Sequence, residues 1–211
     1  MKKFELTNEF ITNMFGTKLF RIRALVEFGD VEAGELGGYV EKESNLGHDD
    51  NAWVYDNAWV YGDAQVSGDA WVYGDAQVSG DARVYGDAQV SGNALVCGNA
   101  LVYDNAWVYG NALVCGDARV CGNGDYAYAH GFGSVNRTTT FFRLKDGGVG
   151  VRCGCFYGTL AQFRDKIRET HGESAIAEEY LDLAALMEKR FRRTGTEDRR
   201  RKLRRMFITQ N

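Results

Sequence analysis

At 211 residues and 45% hydrophobic content the chain is long enough for one or two cores, and no window approaches the 18 or so apolar residues of a membrane span. Twenty-six glycines and no proline mean that the turns rest on Gly, Asn and Asp at positive φ. The net charge of −4 hides an asymmetry: residues 190–205 carry nine Arg and Lys against two acids, so an acidic body precedes a basic tail.

The N-terminal MKKFELTNEF has two lysines but lacks the apolar run of a signal peptide, which argues for a cytoplasmic protein. Residues 1–48 are expected to form an N-terminal cap over the neighbouring repeats. Lys18 to Leu25 alternates as a half-buried strand does, and Gly34, Gly37 and Gly38 punctuate the approach to Tyr39-Val40 and Asn45-Leu46. A cap of this kind would cover strand edges that otherwise stay open.

From Asp49 to Val120 a six-residue unit repeats twelve times without insertion, and the repeat region is taken as residues 49–122. Each unit reads Val, then Tyr, Ser or Cys, then Gly or Asp, then Asp or Asn, then Ala, then Trp, Gln, Arg or Leu. Ala and Val flank one outward residue, as in Ala52-Trp53-Val54, so both point the same way on a short strand. The Gly-Asp or Gly-Asn pair suits a corner. The result is a coil of short strands with an interior of valine and alanine. In these features the chain resembles the hexapeptide-repeat proteins. The resemblance implies a mainly β protein, a left-handed parallel β-helix with 18 residues per triangular coil, here about four coils with a small C-terminal α+β module. The glycine arrives one position later than in the family pattern. Threonine is absent from the repeats, which argues against a Thr-ladder ice-binding face.

With 18 residues per coil, every third repeat stacks and the outward residues sort into three faces. The first carries Trp53 and Tyr55, Trp71 and Tyr73, Gln89 and Ser91, then Trp107 and Tyr109, an aromatic wall. The second turns apolar toward Leu95 with Cys97 and Leu113 with Cys115. The third is mixed and includes Arg83 and Arg119. Contiguous Trp and Tyr usually mark a contact surface. The wall therefore suggests self-association, in threes as the resemblance implies, or a groove between protomers. There the aromatic faces and Arg83 or Arg119 would stack on and pair with a nucleotide-like ligand.

Residues 123–195 form the C-terminal module. A hairpin is predicted from Thr138–Lys145 and Val149–Phe156, turning at Asp146-Gly147-Gly148. After it comes a helix capped by Thr159 and stopped at Gly172, with Leu160, Phe163 and Ile167 on one face. A second begins near Ser174, with Ile176, Tyr180, Leu183, Met187 and Phe191 in register, and Thr194-Gly195-Thr196 is expected to end the module. The stretches Thr140 to Arg143, Arg152 to Leu160 and Glu169 to Gly172, with Leu36 to Leu46 at the other end, resemble uncharacterised phage and prophage proteins built on hexapeptide arrays. That likeness implies a phage-type origin and a bacterial cytosol, and brings no functional residue with it. Residues 196–211 are a basic tail, a short helix or disordered, in which Arg199, Arg200, Arg201, Lys202, Arg204 and Arg205 would meet nucleic acid or an acidic surface.

Chemistry is sparse. Acyl transfer, the activity best known among hexapeptide-repeat proteins, needs a histidine base near a coil corner. His48, His130 and His171 all lie outside the twelve repeats, with His130 the nearest candidate. Three histidines so placed also argue against a zinc site of the carbonic anhydrase kind. Cys153 and Cys155 are read as facing one side of a strand, and three of the five cysteines share one position of the repeat, so free thiols are expected rather than disulfides. The corner rows of Asp and Asn read either as turn formers or as a mimic of a phosphate backbone. No catalytic residue, metal or cofactor is assigned. The favoured function is a non-enzymatic phage-type accessory protein that sequesters a ligand or blocks a host protein, a defence component included. A degenerate acyltransferase and a purely structural oligomer are the alternatives.

Overall fold

The computed structural model describes the backbone of residues 1–133 and 135–208, and side chains as far as residue 194. The chain opens with an antiparallel pair, β1 (Phe4–Thr12) and β2 (Lys18–Ala24), followed by β3 (Leu36–Val40). Twelve two-residue strands come next: β4 (Trp53–Val54), β5 (Trp59–Val60), β6 (Gln65–Val66), β7 (Trp71–Val72), β8 (Gln77–Val78), β9 (Arg83–Val84), β10 (Gln89–Val90), β11 (Leu95–Val96), β12 (Leu101–Val102), β13 (Trp107–Val108), β14 (Leu113–Val114) and β15 (Arg119–Val120).

These strands pair in parallel with the strand three repeats away, in the orders β4-β7-β10-β13, β5-β8-β11-β14 and β6-β9-β12-β15. The chain is therefore a mainly β protein with a parallel β-solenoid. Coiling starts earlier than the repeat alone indicates. Tyr39 and Val40 of β3 pair in parallel with Trp59 and Val60, and Leu46 bridges Val66, so the column through β3 holds five parallel strands and the solenoid about five turns. The first turn is degenerate in sequence, with Val40 and Leu46 in the places of repeat valines, which is why the unit cannot be counted there.

Every repeat valine and alanine is buried, and together they form one continuous core with the cap residues Phe4, Ile22, Ala24 and Val31. Successive valines stack on one another, so each small side chain loses water on all sides although the strands are two residues long. The corners need positive φ. Glycine supplies it at nine of them, and Asp50, Asp56 and Asp104 adopt φ of 58°, 52° and 54° at the equivalent position. Asx residues tolerate this region, which explains why Asp alternates with Gly there. At Gly80 a Cβ would lie 3.0 Å from the Gly98 nitrogen of the next turn, so the corner columns are also tight.

The far end is closed by an antiparallel sheet, β16 (Tyr126–Phe132), β17 (Arg137–Arg143), β18 (Val149–Cys153) and β19 (Phe156–Thr159), with the order β16-β17-β18-β19. The predicted hairpin is its central pair, and the two outer strands were not legible as strands. Its two faces divide the work: Phe142 packs into the solenoid core, and Phe141 packs with the helices α1 (Leu160–His171) and α2 (Ala175–Ile208). Strand β17 also supplies an acceptor to the last turn, and a bridge lies just beyond it, through the Leu113 amide donating to Thr140 Oγ1 at 2.9 Å and the Ala118–Leu144 pair. Helix α1 has the predicted ends: Thr159 caps it reciprocally with Gln162, and Gly172 stops it at φ 58°. Helix α2 runs on through Thr194-Gly195-Thr196, the expected module boundary, into the tail. One glycine costs a helix about 1 kcal/mol, and the Arg- and Lys-rich residues beyond favour helix. The basic residues Arg199, Arg200, Arg201, Lys202, Arg204 and Arg205 lie outside the described side chains. No described helix is long and apolar enough to cross a membrane.

Candidate binding face and its clefts

The aromatic column is in register as the period requires, with Trp53 opposite Trp71, Trp71 opposite Gln89, and Gln89 opposite Trp107. Its upper end is not a surface. Trp53 is 0% exposed, because the N-terminal segment folds over the first turn and places Phe4 and Phe28 edge-on against the indole, at 6.2 and 5.3 Å between ring centres. The wall expected to begin at Trp53 therefore begins at Tyr55. Burial pushes the Tyr55 phenol up to about 12.

Further along, the two polar residues that interrupt the wall hold its aromatic neighbours. The Tyr73 hydroxyl donates to Gln89 Oε1 at 3.3 Å, and the Trp107 indole donates to Ser91 Oγ at 3.1 Å. Trp107 and Tyr109 are the exposed part, at 44% and 45%, with ring centres 5.1 Å apart. Two clefts flank the wall. The upper, about 310 Å³, is lined by Tyr55, Trp71 and Gln89 with the acids Asp30, Asp69 and Asp87. The lower, about 530 Å³, lies where the last turn meets the C-terminal module and is lined by Tyr109, Tyr126, Tyr128, Asn123, Met187 and Arg190. The face thus has an acidic end and a cationic end.

Arg190 is the residue that sequence reasoning missed. It comes from α2, 81 positions after Tyr109 in the chain, and no local pattern announces the meeting. One Nη of its guanidinium donates to the carbonyls of Asn123 at 3.3 Å and Tyr126 at 3.5 Å, while its Nε is buried with no partner among the described residues. A guanidinium beside three phenol rings suits a planar anionic group. Tyr126 is itself buried and its phenol is pushed up by that burial, so it stays neutral.

Arg83 and Arg119, expected to join the aromatics, are on the third column, β6-β9-β12-β15. Arg83 is exposed, and Arg119 is turned back to the carbonyls of Asn99 and Ala118 at 2.9 and 2.8 Å. Within one chain neither reaches the wall. On the second column Cys97 and Cys115 stack. The Cys115 thiol donates to Cys97, which lowers the Cys97 pKa and raises that of Cys115, with Arg152 bearing on both. Cys153 and Cys155 do not share a strand: β18 ends at Cys153, and Gly154 at φ 58° turns the chain before Cys155.

The corner rows are knitted by side chains. Asn51 donates to Asp69 at 2.8 Å, Asn99 to Asp117 at 3.2 Å, and Asn105 to Asp87 at 3.4 Å, each one turn apart. Mixing amides with carboxylates separates like charges that an all-Asp row would stack. Two of the histidines are engaged locally. His48 stacks on Phe4 and meets Glu43 at 2.9 Å, and His130 meets the Thr138 hydroxyl at 3.0 Å within the C-terminal sheet rather than between coils.

Against known families, the chain is similar to the YdcK beta-solenoid repeat over residues 64–78, 76–92 and 96–110, about a fifth of its length and all within the stacked turns. No curated protein matches it. The match supports a repeat β-helix protein and falls on the scaffold that displays the face, not on the cap or the cleft-forming module.

Proposed function

We propose that this chain is a non-enzymatic accessory binding protein of the phage type. It presents the aromatic face of a β-solenoid to hold a small planar anion, nucleotide-like in chemistry, at the junction with its C-terminal module. The observation that carries this reading is the lower cleft: three tyrosines, with the Trp107 and Tyr109 rings tilted against each other at 5.1 Å, around the Arg190 guanidinium. Association through the long faces, in threes, would deepen that cleft into an inter-subunit groove and supply Arg83 or Arg119 from a neighbouring chain. The basic run Arg199 to Arg205 in the sequence supports contact with nucleic acid as well.

A second reading is favoured by the exposed Trp107–Tyr109 pair, an anchor of the type that dominates protein interfaces: blocking of a bacterial host protein, a defence component included. Acyl transfer is less well supported, because His130 is committed to Thr138 inside the C-terminal sheet. A purely structural oligomer would leave the lower cleft without a use.

Native mass spectrometry of protein purified gently from a bacterial cytosol tests these readings together. Three chains with a reproducible small added mass, lost in Arg190→Ala, would support ligand holding. A co-purifying host protein lost in Trp107→Ala would support blocking instead. An assembly carrying neither would overturn both and leave the structural oligomer.

A further inference from the structure

The C-terminal module encloses a concavity of its own, about 250 Å³, in the sheet-and-helix layer rather than on the aromatic face. Its floor is apolar: Phe156 from β19, and Phe163 and Ile167 from one side of α1, all within the second hydrophobic cluster. Its rim is polar and cationic. Arg137 enters from the start of β17, Lys166, Thr170 and His171 from α1, Tyr180 from α2, and Cys153 and Cys155 from the turn between β18 and β19. Residues 163, 166, 167, 170 and 171 have the i, i+3, i+4, i+7, i+8 spacing of one helix face, so α1 turns a single mixed stripe into the opening.

The charges around this opening do not all cancel. Lys166 is tied to Glu169 at 3.0 Å. Glu179, the other acid near Tyr180, accepts the Gly133 amide at 2.6 Å. Arg137 forms no ion pair with any described residue. Its Nη1 lies against Gly154, where a Cβ would come within 1.9 Å of it, so the glycine that turns the chain at φ 58° also makes room for the guanidinium. Within the opening, the Tyr180 hydroxyl is raised to about 12 by burial and by Cys153, and remains a donor at neutral pH. The His171 ring stacks on Tyr180 with centres 5.9 Å apart, and the Thr139 hydroxyl holds Cys153 Sγ at 3.1 Å. The opening therefore offers one uncompensated guanidinium, a phenol donor and an aromatic floor. In a chain whose body is acidic, this is a local exception.

We propose that this pocket is a binding site for a small amphipathic anion, a carboxylate or phosphate on an aromatic or aliphatic body. Arg137 holds the anionic end, the Tyr180 hydroxyl donates to it, and Phe156 and Phe163 receive the body. The site is independent of the aromatic face, so each can fail without the other. Cys155, exposed at the rim, reports occupancy, because a ligand seated beside it slows its alkylation.

The probe is phenyl phosphate, with inorganic phosphate and phenol as its two halves, titrated by calorimetry into the full chain. Labelling of Cys155 by N-ethylmaleimide is monitored in parallel by peptide mass spectrometry. Phenyl phosphate is expected to bind at least tenfold more tightly than either half and to slow Cys155 labelling severalfold without changing that of Cys97. Arg137→Gln, at an exposed position where folding should be preserved, is expected to weaken binding at least tenfold, and Trp107→Ala to leave it unchanged. If phenyl phosphate binds no better than phosphate, leaves Cys155 labelling untouched, or binds Arg137→Gln equally well, the assignment is wrong.

Discussion

Lys3 shows how one side chain can tie an added hairpin to a solenoid. It is 3% exposed, its ammonium donates to the carbonyls of Asp50 at 3.2 Å and Ala52 at 2.8 Å, and it lies 4.6 Å from the centre of the Phe28 ring. Burial lowers its pKa from 10.5 to about 8, against the raising influence of Asp50, Asp49 and Asp69. Between about pH 8 and 10.5 the unfolded chain therefore holds a proton that the folded chain has released. Stability should then rise with pH across that window, and below about pH 8 the residue contributes no slope. Urea midpoints measured from about pH 7.5 to 9.5 should climb in the native chain and flatten in Lys3→Met. Parallel curves for the two proteins would refute the linkage. Above about pH 10 the raised phenols of Tyr55, Tyr103 and Tyr180 act in the opposite sense, since the unfolded chain ionises first. That trend is common to both proteins and cancels in the comparison.

At the scale of elements, the repeat valines and alanines specify the column, but its ends depend on what covers them. The N-terminal hairpin converts the first tryptophan of the face into core. Phe4 is fully buried between the His48 ring at 4.5 Å and Trp53 at 6.2 Å, and its loss would open a cavity over the indole. Phe4→Ala should cost about 3–4 kcal/mol and shift part of the tryptophan emission to the red as water reaches Trp53. Retention of both stability and emission would mean that the hairpin does not seal the first turn. The alternation at Lys18 to Leu25 made β2 readable because Ile22 and Ala24 are buried on one face and Arg23 between them is exposed. Strand β1 was not readable: its polar run Thr7, Asn8 and Glu9 carries no period, and it is strand only through its pairing with β2.

Over the whole molecule, two hydrophobic clusters meet across one sheet. Phe142 belongs to the solenoid core and Phe141 to the helical cluster, and both are fully buried. Arg143 fastens the same strand to α2, donating to the Phe191 carbonyl at 2.7 Å and Thr194 Oγ1 at 3.0 Å. Phe142→Ala should weaken the seam by about 3–5 kcal/mol and separate thermal unfolding into two steps, the smaller for the C-terminal module. A single cooperative transition in this variant would show that the two clusters do not unfold independently. The lower cleft sits on that seam, so ligand binding there is expected to be lost with the first step.

The sequence by itself determined a coil of short strands, because a period of six buries every Val and Ala and places every corner on Gly, Asp or Asn, while three repeats per turn is what the resemblance to hexapeptide-repeat proteins implies. It also determined both ends of α1, where capping is local chemistry, and, given that coil length, the three columns of outward residues. Tertiary structure alone decided which of those columns remains a surface. Whether Trp53 is wall or core depends on Phe4 and Phe28, packed onto it from an earlier segment of the chain, and Arg190 joins Tyr109 only because a sheet turns α2 back onto the last turn. Periodicity records what a residue needs from its neighbours along the chain; burial and cleft formation arise from contacts between segments whose separation no local pattern encodes.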